Sequence, residues 1–432
     1  MTRVLLILPT GSYRATEYLA AAERLGVEVV VASERAQALA ATMGENFLEI
    51  PLHDPAEAAR RIVGQARRDP RLALHAILGV DDQGLLAAAL AAAELGLPHS
   101  PPEAVALTRD KASMRAAFAA AGIPQPDYEV VDPGAANAVG AATDRLGPPV
   151  VVKPTSLAGS RGVIRADSAA EAVAAAHRIR AILGAENEPP DSPLLVERFV
   201  PGPEVAVEGI IRRGLVEIIT VFDKPDPLDG PFFEETLYLS PTHLPPHLVD
   251  AVKLVTGRAV KALGLSDGPF HAEMRVPGAL APAEGDAAKL LEVAARTIGG
   301  RCSKAMMLED GSSLEELVIA SALGGSYPPP RLRSPCGILM IPIPVSGLLK
   351  SVAGIDQVRD LPGITGVEIT VPMGRAVKAL PEGDRYLGFV FAADDSRDAV
   401  EGALREAERM LVVDIQASGD LAGTAEPPVT VA

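Results

Sequence analysis

Phe270-His271-Ala272-Glu273-Met274-Arg275-Val276 and, after a Gly- and Pro-rich interval, Leu290-Leu291-Glu292-Val293-Ala294-Ala295-Arg296 each set a carboxylate in the middle of an apolar run. A strand alternates its side chains between two faces, so His271, Glu273 and Arg275 share one face of the first run, and Glu292, Ala294 and Arg296 share one face of the second. If Val276 pairs with Lys289 across the hairpin, Glu273 stands directly opposite Glu292. Like charges so placed repel unless a cation lies between them. Paired hard oxygens suit Mg2+ held jointly by protein and phosphate. Solvated glutamates on an open sheet face are the plain alternative, and the apolar flanks weigh against it.

Upstream, Val150-Val151-Val152-Lys153-Pro154 ends an apolar strand on a cation and runs into Ser156-Leu157-Ala158-Gly159-Ser160-Arg161-Gly162-Val163. Lysine is a point charge for phosphate oxygens, and glycines let backbone N–H groups approach a ligand that a Cβ would push away. A hairpin turn with a solvated lysine would read the same way from these residues alone. Leu194-Leu195-Val196-Glu197-Arg198-Phe199-Val200 then passes through Pro201-Gly202-Pro203 to Glu204. A strand leading into an extended linker exposes edge donors and acceptors that suit adenine, and Glu204 suits ribose hydroxyls; an edge strand with charged guards is the alternative.

Around this centre the chain divides by composition. Its 432 residues predict two to four domains at roughly 100 to 200 residues each. Val4–Leu8, Val27–Ala32 and Ala76–Gly79 read as buried parallel strands, alternating with helices over Arg14–Leu25 and Pro55–Arg68. The turn Pro9-Thr10-Gly11-Ser12 after the first strand is a weak ligand signal, because it lacks the spaced glycines of a dinucleotide fingerprint. Beyond Pro101-Pro102 a single helix is expected from Glu103 to Ala121. Gly366–Val371 and Leu387–Ala392 read as strands, Ser396–Met410 as an amphipathic helix, and the stretch from Ala417 as a loose tail.

Charge and cysteine usage narrow the function classes. Forty basic against 56 acidic residues give a net charge of -16, which opposes nucleic-acid or anionic-membrane binding. Two cysteines allow no disulfide framework, and no apolar run is long enough for a signal core or a membrane span. A cytoplasmic location is expected.

In order and spacing these pieces resemble the ATP-grasp superfamily of carboxylate–amine ligases. The set comprises Lys111 (TRDKASMRAAFAAAGIPQP), Lys153 (VVVKP), the loop Ser156–Val163, Glu197–Val200 (ERFV), Glu204 (GPEVAVEG), Glu273 (HAEMR), and Glu292 with Arg296 (EVAARTIGG). The resemblance implies an α/β ATP-grasp fold with six segments. An N-terminal doubly wound parallel-sheet domain (1–102) and a helical linker carrying Lys111 (103–125) precede a small mobile α+β lid (126–200). A larger α+β domain with the metal site (201–330), a closing domain (331–416) and a tail (417–432) follow.

It implies ATP as substrate, with Lys111 and Lys153 on its phosphates. Ser156, Gly159, Ser160 and Gly162 would lie in the covering loop, and Glu197, Arg198, Phe199, Val200 and Glu204 around adenosine. Glu273 and Glu292 would hold Mg2+, one or two ions, with Mn2+ as an alternative. Arg296 would act with Lys153 on the transferring phosphoryl group. The family sends the γ-phosphate to a carboxylate, and an amine attacks the resulting acyl phosphate.

Many relatives carry Asn two residues after the second metal glutamate; here that position is Ala294, which puts a second ion in doubt. The C-terminal third, with Ile341-Pro342-Ile343-Pro344-Val345-Ser346-Gly347, Leu361-Pro362-Gly363 and Arg385-Tyr386-Leu387-Gly388-Phe389-Val390-Phe391, is similar to that of the L-amino-acid (dipeptide) ligases. This implies small-molecule carboxylate and amine substrates, with a homodimer among the assemblies allowed. His243, His271, Arg331 and Arg333 are further substrate-contact candidates. A carboxylase- or purine-type ligase acting on bicarbonate or formate, and a non-catalytic ATP-binding protein, are the competing readings.

Overall fold

A computed structural model describes residues 2–35, 46–69, 72–132, 137–186, 188–189, 191–279 and 287–417. Beyond Ala417, the expected tail lies outside the described residues. Strands β1 (Arg3–Ile7), β2 (Glu28–Ser33), β3 (Phe47–Glu49) and β4 (Ala76–Gly79) form a parallel sheet in the order β3-β2-β1-β4. After Arg3, β1 is apolar because both its faces are covered: Val4 and Leu6 pack into one core, Leu5 and Ile7 into another. The helix Pro55–Arg68 starts where expected. Asp54 caps it by accepting from the Glu57 N–H at 3.0 Å, and Pro55 opens its first turn.

The expected helix Glu103–Ala121 is two helices, Pro102–Leu107 and Lys111–Ala120. The Thr108 hydroxyl donates to the Val105 carbonyl at 2.8 Å, and Asp110 caps the second helix by accepting from the Ser113 N–H at 2.6 Å. A helical period continues across the break in sequence, but these two side chains compete for the backbone there. The consequence is functional: Lys111 begins a helix instead of lying within one.

Strands β5 (Tyr128–Val131), β6 (Val150–Pro154), β7 (Ile164–Ala166) and β8 (Leu194–Arg198) make a small antiparallel sheet in the order β5-β8-β6-β7. Val150, Val152, Leu194 and Val196 pack with Ile179, Ile182 and Leu183 of the helix Ala169–Ala185, giving this sheet a core of its own. The loop Ser156–Val163 connects β6 to β7.

The largest sheet begins with β9 (Glu204–Arg212), β10 (Leu215–Lys224), β11 (Leu237–Ser240), β12 (Gly268–Arg275) and β13 (Lys289–Ala294). The remaining strands are β14 (Cys336–Ile341), β15 (Gly347–Ala353), β16 (Ile364–Ile369), β17 (Ala376–Val377), β18 (Gly388–Ala393) and β19 (Val412–Ala417). Eight strands run in the order β13-β12-β9-β10-β11-β14-β18-β16, and β17-β15-β19 form a separate small sheet. The large sheet does not break near residue 330: β11 pairs with β14 from Leu237↔Leu339 to Ser240↔Cys336. The helix Pro246–Leu263 covers one face of the sheet through Val252, Val255 and Val260 against Phe270, Ala272 and Met274. Gly209 in β9 is required by close approach, since a Cβ there would meet the Phe270 ring at 2.4 Å. Among the described residues no helix is long and apolar enough to cross a membrane.

Candidate active site

The carboxylate pairing expected from the sequence is present, by a different register. β12 and β13 pair Arg275 with Lys289, not Val276, and a bulge at Leu291 restores Glu273↔Glu292. Bulges re-aim side chains without ending the ladder. Ala294 lies opposite His271 in the same hairpin, so no donor atom occupies the position where relatives carry Asn.

Each glutamate already faces a cation. Glu292 approaches the Lys111 ammonium at 3.3 Å, and the same ammonium donates to the Leu157 carbonyl at 2.7 Å. Because Lys111 opens its helix and its N–H donates to the Thr155 carbonyl at 3.0 Å, it links β13 to the loop after β6. Glu273 meets the Lys224 ammonium at 2.9 Å and His271 Nε2 at 3.2 Å.

Lys224 was not expected from the sequence, and it is the hub of this corner. Its Nζ lies 2.7 Å from Glu204 and also contacts Glu235, while Glu204, Glu235 and Glu273 bring carboxylate oxygens within 4.8 Å of one another. Burial opposes the lysine's charge, but the three glutamates outweigh it and hold the ammonium protonated well above its ordinary range. Burial raises the Glu235 carboxyl to about 7, against the pull of Lys224. Burial pushes Glu273 the same way, but Lys224 and His271 hold it well below the ordinary carboxylate range. A signal existed: Val221-Phe222-Asp223-Lys224-Pro225 ends a strand on Lys-Pro as Val150–Pro154 does.

Lys153 is similarly engaged. It is 9% exposed and its Nζ lies 2.5 Å from Glu197, whose other oxygen takes the Arg115 Nε at 2.5 Å. Glu197 is 1% exposed. Burial pushes its carboxyl up, and the Arg115 and Lys153 charges override that to bring it down to about 2. Both oxygens of the expected adenosine contact are thus spent on stationing cations. Glu204 is in the same position, since its second oxygen takes the Arg275 Nε at 2.9 Å. The Phe199 N–H donates to the Pro149 carbonyl at 2.9 Å and the Arg198 N–H to the Asp127 carbonyl at 2.8 Å, so neither is a free edge donor.

The glycine loop has the backbone that ligand approach needs. Gly159, Ser160 and Gly162 have φ of 68°, 56° and 66°, the left-handed region in which Ser160 is an uncommon occupant. The Ser156 hydroxyl is buried without a hydrogen-bond partner. An orphaned buried hydroxyl beneath a loop of this shape fits an oxygen-rich ligand.

Arg296 is held from the N-terminal sheet. Its Nε donates to Asp82 at 2.9 Å, and the other Asp82 oxygen takes Arg109 at 3.0 Å. Burial raises the Asp82 carboxyl, but Arg296 and Arg109 bring it below the ordinary range. Arg14 fixes the next residue, donating to the Thr297 hydroxyl at 2.6 Å and to its carbonyl at 3.1 Å.

A cavity of about 600 Å3 brings these groups together, lined by Lys111, Lys153, Gly159, Ser160, Glu197–Val200, Glu204, His271, Glu273, Glu292 and Arg296. Gly11 of the weak turn signal also reaches it. Three candidates are corrected. His243 lies outside the cavity with its side chain 61% exposed, near Asp398 at 3.4 Å, because Pro241 and Pro245 bracket a surface turn. Arg331 and Arg333 are exposed outside the cavity, on a segment tied back by the Arg331 carbonyl accepting from the Glu309 N–H at 2.9 Å. His271 does line the cavity, buried between Glu208 and Glu273.

Comparison with known proteins gives the family. An ATP-grasp domain model matches residues 146–305, an ATP-grasp N-terminal domain model residues 19–99, and a model of the L-amino acid ligase C-terminal domain 2 residues 339–416. A D-alanine–D-alanine ligase of Desulforudis audaxviator is 30% identical over 246 residues, which is 55% of this chain and 76% of that protein. An uncharacterized protein of Sinorhizobium fredii is 28% identical over 328 residues, 75% of this chain, and the match spans only 65% of that relative's length. The chain belongs to the ATP-grasp family of ligases. Its fold is that of an L-amino acid ligase from Bacillus licheniformis, with a TM-score of 0.77 at 24% identity, covering 96% of this chain and 99% of that one.

Proposed function

We propose that the protein is an ATP-dependent ligase that joins the carboxyl of one amino acid to the amine of another through an acyl phosphate, releasing ADP and phosphate. The observation that carries this is the convergence of Glu273 and Glu292, opposed across one hairpin, with Lys111, Lys153 and Arg296 on a single cavity, and with Lys224 buried behind Glu273. The C-terminal match to L-amino acid ligases favours this over a carboxylase- or purine-type acceptor. The retained lysines and glutamates favour it over a non-catalytic nucleotide binder.

Lys111 and Lys153 hold phosphate oxygens, and the Ser156–Val163 loop closes over them to exclude water. Phe199 and Val200 pack against the base. The donor carboxylate oxygen attacks the γ-phosphorus, the bond to the β-bridging oxygen breaks, and ADP leaves with that electron pair. Arg296, braced by Asp82, offsets charge on the transferring phosphoryl group. The amine then attacks the acyl carbon, loses a proton, and expels phosphate. The facing hard-oxygen donors fit a divalent ion: Glu273 and Glu292 would hold Mg2+, which neutralises phosphate charge when bound. The test is phosphate release from ATP across a matrix of paired amino acids, with mass spectrometry of the products. Release requiring both partners and a condensed product is expected, and release unaffected by any amino acid counts against the reading.

A further inference from the structure

The sequence holds only six tyrosines and nine phenylalanines and no tryptophan, yet six of these rings line the cavity described above. They fall into two groups. Phe199 and Phe233 pack with Val151 and Leu228 beside the glycine loop, where the nucleotide is read to lie. Tyr13, Tyr238, Tyr386 and Phe389 form a second wall, joined by Met340, which pairs with Phe389 across β14 and β18. Phe389 lies at ring-centroid distances of 6.5 Å from Tyr13, in a tilted arrangement, and 6.1 Å from Tyr386, edge to face. The wall is tied to the segment that carries Arg296, because the Gly300 N–H donates to the Tyr13 hydroxyl at 3.1 Å. It therefore borders the place where the donor carboxyl reacts.

The arginines beside this wall already face carboxylates. Arg14 faces Asp81 at 3.3 Å, Arg301 pairs with Glu17 and Glu368, and Arg385 faces Asp384 at 2.8 Å. A charged substrate side chain placed here would be stripped of water and meet groups whose charge is spent. A small one would leave an apolar hollow.

Resting on the ligase reading above, we infer that the amino acid whose carboxyl is activated bears a large apolar side chain, aromatic or branched aliphatic, seated against Tyr13, Met340, Tyr386 and Phe389. The rings supply contact area, and the Tyr13 hydroxyl is taken up by the Gly300 N–H, so recognition is by burial and shape.

The test uses the full-length enzyme with ATP and Mg2+, measuring kcat/KM for phosphate release with phenylalanine, leucine, methionine, glycine, alanine, aspartate, glutamate or lysine against one fixed amine. Tandem mass spectrometry assigns which residue supplied its carboxyl. The apolar set should exceed glycine and the charged set by about tenfold or more, from side-chain burial. Tyr13→Ala should raise the KM for phenylalanine about fivefold or more with the KM for ATP within about twofold, and Tyr13→Phe, which keeps the ring, should restore it. Equal or better turnover with aspartate, lysine or glycine, or apolar residues only in the amine position, overturns the inference while leaving the ligase reading intact. Phosphate release with no amino acid overturns both.

Discussion

Within the small sheet Glu197 is shared by two buried cations, so replacing it with glutamine is the sharpest perturbation there. Its partners lie at 2.5 Å on each side, and its carboxyl stands at about 2 against an ordinary 4.5. At about 1.4 kcal/mol for each tenfold change in proton affinity, that difference is worth about 3 kcal/mol. Removing one member of a buried ion pair costs roughly 3–5 kcal/mol by independent reasoning, because Arg115 and Lys153 would remain buried without a counter-charge. The sign with pH follows from the depressed value. The contribution is complete above pH 4.5 and is lost as pH falls toward 2, when the native protein protonates its own Glu197. Amide hydrogen exchange over β6 and β8 reads this locally. In Glu197→Gln, protection at pH 7 should drop by roughly 100-fold or more, and the gap to the native protein should narrow as pH is lowered from 4.5 to 3. Protection within about threefold at pH 7, or a gap of constant size down to pH 3, refutes the network's role.

Other elements give separate expectations. Asp82→Asn releases the Arg296 guanidinium and should lower kcat by roughly 10- to 100-fold, with the KM for ATP changed less than about threefold; steady-state kinetics decide. Gly162→Ala places a Cβ at φ 66° and 3.2 Å from Pro154, and should cost about 1 kcal/mol locally and slow turnover, read by exchange over 156–163 and by kcat. Arg178 and Glu382 pair at 2.6 Å between the small sheet's helix and the C-terminal segment, and the Gly162 N–H donates to the Pro381 carbonyl at 3.0 Å. Because that ion pair is exposed, Glu382→Ala should speed nucleotide release by no more than about fivefold, measured by stopped-flow with a fluorescent ADP analogue. Glu292→Gln should abolish turnover while nucleotide binding without metal stays within about threefold; unchanged turnover contradicts its assignment.

Much of this was legible in the sequence, for physical reasons that differ by region. β1, β2 and β4 announce themselves because strands covered on both faces are largely apolar, whereas β3, three residues ending on Glu49, was not expected, and Asp54-Pro55 marks a helix start chemically. Glu273 and Glu292 could be paired because strand alternation fixes faces, although the bulge at Leu291 left the assumed Val276–Lys289 register one residue out. The break at Thr108–Asp110 was hidden because helical periodicity runs straight across it. Arg115, Asp82 and Lys224 were missed because their roles exist only between segments distant in sequence, such as Lys224 with Glu273 or Arg296 with Asp82. The continuous sheet across residue 330 was hidden likewise, since β11 and β14 are joined only by pairing.

The proposed reaction transfers the γ-phosphoryl group directly to a carboxylate oxygen. Turnover with an amino acid labelled with 18O in both carboxylate oxygens, followed by mass analysis of the released phosphate and nucleotide, tests it most directly. One 18O atom in each phosphate and unlabelled ADP is the predicted result. Label appearing in AMP, or phosphate released without 18O, contradicts it.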